Sequence, residues 1–223
     1  MKQILGILII GILLVGCKGI KSDEQKSQEK VEFNQKLADE LSKMAEIDQL
    51  AAANMIPPDN YKHLSLEEWQ SFQDSVYSTH QIRLKEVFDK YGFVGYDLAG
   101  EKGSSNFWLM VQHSDHNPDF QNEVLRKMKI EVDKGNADSK IYGLLVDRVK
   151  INTGQAQVYG TQVDYKMNPC RAFPKNLADS ANVNKRREEI GLQPLEEYLN
   201  MMALINCERI EELNAKEKLP KQN

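Results

Sequence analysis

The chain has 223 residues, of which 29 are Lys or Arg and 33 are Asp or Glu, so its formal net charge is −4. A mildly acidic chain lacks the basic footprint that nucleic-acid binding requires, which argues against a nucleic-acid partner. A mature chain of about 200 residues is long enough for one domain with a buried core.

The N-terminus, "MKQILGILIIGILLVGCKG", has one early positive charge and an apolar run from Ile4 to Val15. This run is shorter than the roughly 20 residues of a transmembrane helix and has the length of a signal-peptide core. It ends in Leu-Val-Gly-Cys, which resembles the lipobox of bacterial lipoproteins. That resemblance implies cleavage after Gly16 and acylation of Cys17. Two or three acyl chains, at about 0.8 kcal/mol per methylene, would hold the protein on a membrane.

The charged stretch "KSDEQKSQEK" follows the cysteine and is typical of a flexible spacer. Its Asp23-Glu24 pair resembles the surface-export signals of Bacteroidota lipoproteins. We therefore expect a protein of the cell envelope, anchored to a bacterial membrane by lipid and facing the periplasm or the cell surface. The predicted divisions are a signal peptide (1–16), an acylated cysteine with its spacer (17–30), one helical domain (31–215) and a disordered tail (216–223).

Apolar residues recur every three or four positions between Val31 and Met55, which predicts a first amphipathic helix that "IPPDN" ends. Ser65 and Glu68 have capping-box spacing and open a second helix that runs to Lys90 or Tyr91. His80 lies in it, and a lone helical histidine is more often a solvated or core residue than a ligand. The stretch "GFVGYDLAGEKGSS" contains four glycines and predicts a loop.

Three further helices are predicted at about 105–113, 118–134 and 138–152, with Gly135 and Gly154 at C-terminal caps. Apolar and polar residues then alternate in "QVYGTQVDY", which predicts a strand, and "RAF" predicts a short return strand. Two helices follow, the first ending at Gly191 and the second opened by Pro194. The fold class is mainly α (α+β), with six to seven helices and a small β-hairpin.

Two cysteines remain after Cys17, namely Cys170 and Cys207. An extracytoplasmic location permits a disulfide between them, but their spacing does not establish whether they meet. Neither belongs to a C-x-x-C pair, so the sequence indicates neither a redox motif nor a thiolate zinc site.

The stretch "QHSDHNPDF" has two interpretations. In the first, Asn117, Pro118 and Asp119 cap one helix and His113 lies at the end of the preceding one, so that every polar residue serves the fold. In the second, His113 and His116 bind zinc or iron together with a carboxylate. The sequence contains no H-E-x-x-H motif and no third histidine nearby. We therefore predict no cofactor and keep a metal at His113 and His116 as the weaker alternative.

Three ordered blocks, "WLMVQHSDHNPDFQ", "LLVDRVKINTGQAQVYGTQ" and "VNKRREEIGLQPLEEYL", resemble a bacterial family of domains of unknown function over roughly residues 35–200. The resemblance implies one helical domain and carries no established activity. Cys170 stands where members often have a small residue, which argues against a functional role for it. The candidate site that the resemblance implies consists of Gln112, His113, Asp115, Asp147, Arg148, Tyr159, Gln162 and Arg186.

These residues suggest an acid–base site without an identified nucleophile. His113 would be the general acid or base, because imidazole titrates near neutral pH. The catalytic candidates are His113, Asp115, Asp147 and Arg148, with either aspartate orienting the imidazole, and Arg148 and Gln162 stabilising negative charge. The binding candidates are Gln112, His116, Tyr159, Gln162 and Arg186, of which Tyr159 could also donate a proton.

Three functions fit these observations. The favoured one is a lipid-anchored module that binds a small molecule or an envelope protein. The alternative is an envelope hydrolase that uses the His/Asp/Arg/Tyr cluster, with or without a metal. In the third, the polar residues form a network that only braces the fold of a structural lipoprotein.

Overall fold

A computed structural model describes the backbone of residues 31–54 and 56–217, and the side chains of that region as far as residue 208. The predicted signal peptide, Cys17 and the spacer lie outside the described residues. Within the described part, no helix is both long enough and apolar enough to span a membrane.

The described residues form seven α-helices, two short 3-10 turns and one two-stranded antiparallel sheet, which confirms the predicted fold class. The third helix runs through the stretch expected to be a loop, and the seventh extends two residues into the segment expected to be a tail. The helices are α1 (Gln35–Ala53), α2 (Leu66–Tyr91), α3 (Tyr96–Gln112), α4 (Pro118–Asp133), α5 (Ser139–Asn152), α6 (Val183–Glu189) and α7 (Leu195–Glu217); the strands are β1 (Val163–Lys166) and β2 (Arg171–Pro174).

Side-chain caps fix the helix starts at the positions where the sequence predicts them. At the start of α2, Ser65 Oγ accepts from the backbone N–H of Glu68 at 3.2 Å, and Glu68 Oε2 accepts from the N–H of Ser65 at 2.7 Å. Asn117 caps α4 in the same way, accepting from Phe120 N at 3.1 Å. These bonds satisfy amide groups that have no partner within the helix.

The loop predicted at 92–105 is wrong from Tyr96 onward, where α3 begins. Gly100 has a φ of +71° and a non-helical ψ of 172°, so α3 consists of two helical parts joined at a kink. A Cβ at Gly103 would lie only 2.6 Å from the Cβ of Ala99 on the other side of the kink, whereas its 3.7 Å distance from Ala38 of α1 would be an ordinary van der Waals contact. The two glycines therefore permit the kink in α3, although glycine clusters usually indicate a loop.

The strand predicted over 157–165 is confirmed only for its last residues, because β1 begins at Val163 and pairs with β2 from Val163↔Pro174 to Lys166↔Arg171. Before it, the chain turns at Gly160, whose φ is +73°. The backbone N–H groups in that segment bond to a buried carboxylate of α5 and not to a neighbouring strand, for reasons given below.

The five helices α1 to α5 form the core. Helix α1 packs against α2 and α3, and α4 packs against α5. Its fully buried side chains include Leu41, Leu84, Phe107, Phe120, Val124, Met128 and Leu145. At the other end of the domain, Cys170 and Cys207 form a disulfide with a Cα–Cα distance of 5.8 Å. The pairing that the sequence left open thus joins α7 to the turn before β2.

Candidate functional site

A buried carboxylate on α1 contacts His113. Asp48 lies on the inward stripe of α1 with Leu41, Ala45 and Ala51, and it has no exposed surface. The Nδ1 atom of His113, at the C-terminal cap of α3, lies 2.6 Å from Asp48 Oδ1. Since a carboxylate only accepts, the imidazole donates from Nδ1. The residue that orients His113 is therefore Asp48, which the sequence analysis did not single out.

A second histidine faces the same carboxylate. His80 is buried in α2, and its Nδ1 lies 3.8 Å from Asp48 Oδ2. That separation suits an ion pair and is too long for a hydrogen bond. Accordingly, both Asp48 Oδ2 and His80 Nδ1 are buried without a hydrogen-bond partner. The sequence held one usable signal, since Asp48 and His80 are polar residues at inward positions of two amphipathic helices.

The electrostatics of this cluster keep Asp48 ionised. Burial alone would raise the pKa of the Asp48 carboxyl, but the His113 hydrogen bond and the nearby His80 ring outweigh burial and hold the pKa below its ordinary value. The ring of Tyr77 packs on that of His113, with centroids 5.4 Å apart. Burial, followed by the Asp48 charge, raises the pKa of Tyr77, so its hydroxyl stays protonated at neutral pH.

The outer nitrogen atoms of both rings have no hydrogen-bond partner within the described part of the chain, although the side chains of His80 and His113 are only 11% and 15% exposed. In the described residues, neither Nε2 atom forms a hydrogen bond, and neither belongs to the buried polar atoms that lack a partner. His116 is exposed, and Asn117 and Pro118 cap α4 as predicted. No group of three or more His, Cys, Asp or Glu side chains in the described part of the chain is placed to hold a metal.

Asp115 and Arg148, two of the predicted catalytic residues, bind each other. Arg148 donates from Nε at 2.8 Å and from Nη2 at 2.6 Å to the two oxygens of Asp115. Asn152 Nδ2 and Gln121 Nε2 also donate to Asp115, at 2.7 Å and 3.2 Å. The carboxylate is thus saturated with donors and fixes the α3–α4 loop to α5. Gln112 enters this group through its backbone carbonyl, which accepts from Gln121 at 3.2 Å.

Asp147, the other predicted orienting aspartate, bonds elsewhere. It has no exposed surface, and its oxygens accept from Val158 N at 2.7 Å, Tyr159 N at 3.0 Å, and Thr161 N and Oγ1 at 2.9 and 3.0 Å. All of these donors belong to the segment that precedes β1. A single buried carboxylate therefore supplies the acceptors that a partner strand would otherwise provide, which explains why this segment is not a strand.

Two arginines hold the same segment from the other side. Arg186 donates from Nε to Val158 O at 2.9 Å, and Arg187 donates from Nη1 to Tyr159 O at 2.6 Å. Arg187 has no exposed surface and packs 4.9 Å from the ring centroid of Tyr198. Gln162 donates to the neighbouring Thr161 Oγ1 at 3.3 Å. The predicted site residues therefore fall into three groups. His113 contacts Asp48; Gln112, Asp115 and Arg148 lie at the α3–α4 loop; and Asp147, Tyr159, Gln162 and Arg186 lie around the 157–162 segment.

Two cavities of the described part have linings that do not include these histidines. One of about 220 Å³ lies between the start of α1 and the end of α2, and its lining includes Leu37, Glu40, Arg83 and Tyr91. Glu40 binds Arg83 there at 2.6 Å, so these two charges of the cavity are already paired. Another, of about 520 Å³, is formed by the segment around Pro58 and Tyr61. Neither is lined by His80 or His113.

A family model described as a family of unknown function, DUF6624, matches residues 35–208. The matched range contains α1 to α6, the part of α7 as far as residue 208, and all the polar residues described above. No curated protein and no solved structure matches the chain. The candidate site is therefore defined by its geometry.

Proposed function

Since the chain belongs to the DUF6624 family, whose function is unknown, we propose its role from its sequence and its site. We propose that it is a lipid-anchored protein of the bacterial cell envelope, and that its helical domain binds a ligand or partner at the histidine cluster, defined as Asp48, His80 and His113. The observation that carries the binding proposal is that two imidazoles share one buried carboxylate and have unbonded Nε2 atoms. Imidazoles fixed in this way are suited to bind an anionic group, and zinc is included below only to test the weaker metal alternative.

Two features support the envelope location. The apolar run that ends in Leu14-Val15-Gly16-Cys17 has the length and the terminal motif of a lipoprotein signal. The Cys170–Cys207 disulfide is of a kind that persists in oxidising compartments and is rare in a reducing cytosol.

Mass spectrometry of the protein purified from membranes tests the anchor. The N-terminal peptide should begin at Cys17 and carry the mass of two or three acyl chains. A Cys17→Ser variant should keep residues 1–16 and should not partition into detergent, because no thiol is available for acylation. A Cys170→Ser variant is the matched control and should be acylated like the wild type. An unmodified wild-type Cys17 peptide would refute the anchoring proposal.

Thermal melting with defined probes tests the binding site. The probes are zinc for metal binding, inorganic phosphate for oxyanions and acetate for carboxylates. A probe at about 100 times its Kd stabilises a protein by roughly 2.7 kcal/mol, which is a Tm rise of about 5–10 °C at this size. His113→Gln should abolish the rise, and His63→Gln, which changes an exposed histidine, should leave it intact. No rise with any probe, or a rise that survives in His113→Gln, would count against this site.

A hydrolase is the second candidate, favoured by the 2.6 Å contact between Asp48 and His113. A buried carboxylate that fixes the Nδ1–H of an imidazole leaves Nε2 as a general base, which can activate water for attack on an ester. The assay is release of nitrophenolate from p-nitrophenyl acetate and from bis(p-nitrophenyl) phosphate. His113→Gln should lower the rate at least about 100-fold, whereas His63→Gln should not. Absence of turnover by the wild type would leave the binding proposal as the better one.

A further inference from the structure

The β1–β2 hairpin has one covered face and one open face. Helix α7 packs against both strands, and the hydroxyl of the half-buried Tyr165 donates to Met202 O of α7 at 3.5 Å. Side chains alternate between half-buried and exposed along each strand, as the two-residue period of a strand requires. The exposed set, which we call the hairpin face, consists of Asp164, Lys166, Arg171 and Phe173.

The hairpin face carries two cations at directly opposite positions. Lys166 pairs with Arg171 in the strand register, and no ion pair within the described residues involves either side chain. Like charges that face each other in an antiparallel pair destabilise a sheet. Asp164 does not compensate for them, because its carboxylate lies 3.9 Å from Lys175 Nζ. The fold thus leaves two positive charges that an external anion can neutralise.

An aromatic ring lies on the same face as these cations. Phe173 is 45% exposed and follows Arg171 by two residues on β2. Exposed cations beside an exposed apolar ring suit the surface of an anionic bilayer, because the cations attract the phosphate groups while the ring enters the headgroup region. The whole chain has a formal charge of −4, so such a bilayer favours the orientation that turns a positive face towards it.

We propose that the hairpin face docks on the anionic phospholipid headgroups of the membrane that holds the acyl anchor. The docking rests on the anchor of the proposed function, because two cations and one ring bind a bilayer only weakly by themselves. A tether supplies an effective concentration of about a millimolar, which is enough for a weak contact to orient the domain. The acyl chains hold the protein at the membrane, and the hairpin sets which side of the domain faces it.

Quenching by brominated lipids tests the docking in the full acylated chain. A Phe173→Trp variant introduces an indole on the hairpin face, while the native Trp69 and Trp108 are 1% and 7% exposed and give a constant background. The vesicles contain brominated phosphatidylcholine with or without phosphatidylglycerol. Quenching should be stronger in the anionic vesicles, and about 1 M salt should remove the difference, since the Debye length is then about 3 Å. Equal quenching in both vesicle types at low salt would overturn the proposal.

Two pairs of substitutions with the same change in charge locate the contact. Lys166→Gln with Arg171→Gln, added to the reporter variant, should lower the docking equilibrium constant about 25-fold, at about fivefold for each cation. Arg126→Gln with Lys127→Gln, on the exposed face of α4, is the matched control and should leave the constant unchanged. An equal loss in the two pairs would show attraction by overall charge and would contradict docking through the hairpin.

Flotation with the same vesicles separates the docking from the anchor. A chain that floats with both vesicle types while its introduced indole stays unquenched refutes the docking and leaves the anchor intact. A chain that floats with neither vesicle type refutes the anchor, and the docking fails with it.

Discussion

Replacing Asp147 by Asn tests whether one buried carboxylate holds the segment before β1. The substitution preserves the shape of the side chain but turns one accepting oxygen into a donor. Oδ1 accepts from Val158 N and Tyr159 N, and Oδ2 accepts from Thr161 N and Oγ1 and, at 3.2 Å, also from Tyr159 N. If Oδ1 is lost, Val158 N loses its acceptor and Tyr159 N keeps only its longer bond; if Oδ2 is lost, both donors of Thr161 lose their acceptor. At about 1.5–3 kcal/mol for each hydrogen bond to a charged group, the expected loss is about 2–6 kcal/mol.

The measurement is the free energy of unfolding from urea titrations followed by circular dichroism, with Tm as a second readout. A domain of this size loses roughly 2–4 °C for each kcal/mol, so Tm should fall by at least about 4 °C. Asp115→Asn is the matched control, because Asp115 also accepts from several donors but its side chain is 42% exposed. Exposed ion pairs contribute about 0–1 kcal/mol. Equal losses in the two variants would refute the anchoring role of Asp147 and leave it free for the catalytic role that the sequence suggested.

Three other outcomes are expected. Because the pKa of Asp48 is lowered in the folded protein, the ionised carboxylate stabilises the fold fully above the ordinary value of 3.8. This stabilisation is lost as pH falls through the lower folded value. Asp48→Asn should therefore flatten the fall of Tm below about pH 4, and an unchanged acid profile would contradict this. Arg187→Lys should lower the free energy of unfolding, measured by urea titration, by about 1.5–3 kcal/mol, because one ammonium replaces a guanidinium that binds two carbonyls. The control Arg126→Lys, on the exposed face of α4, should lower it by under about 0.5 kcal/mol. Cys207→Ser opens a 37-residue disulfide loop and should lower the free energy of unfolding by about 2–4 kcal/mol. Reductant should lower the wild type to the Tm of that variant and leave the variant unchanged.

The helices were predictable because their signals are local. A capping box at Ser65 and a glycine after each of several helices satisfy groups that a helix end always exposes. The two errors have different causes. The glycines at 100 and 103 permit a kink within α3, where a local pattern alone suggests a loop. The alternation before Val163 suits a strand until the distant carboxylate of Asp147 accepts from its N–H groups.

The candidate site was only partly predictable, for a related reason. His113 stands out because it lies in a short polar stretch, whereas Asp48 and His80 lie inside helices among apolar residues. Hydrophobic periodicity shows that both point inward, but it does not show that they meet, since that depends on how α1, α2 and the end of α3 pack. A buried ionisable residue without a local partner is therefore a signal to search for a partner on another helix.

The interpretation of "QHSDHNPDF" as a joint between two helices accounts for several of its residues. Asn117 and Pro118 start α4, and Asp115 fixes the connecting loop to Arg148. These contacts hold the end of α3 in place and thereby direct the His113 ring towards Asp48. The residues that serve the fold thus also set the geometry of the imidazole.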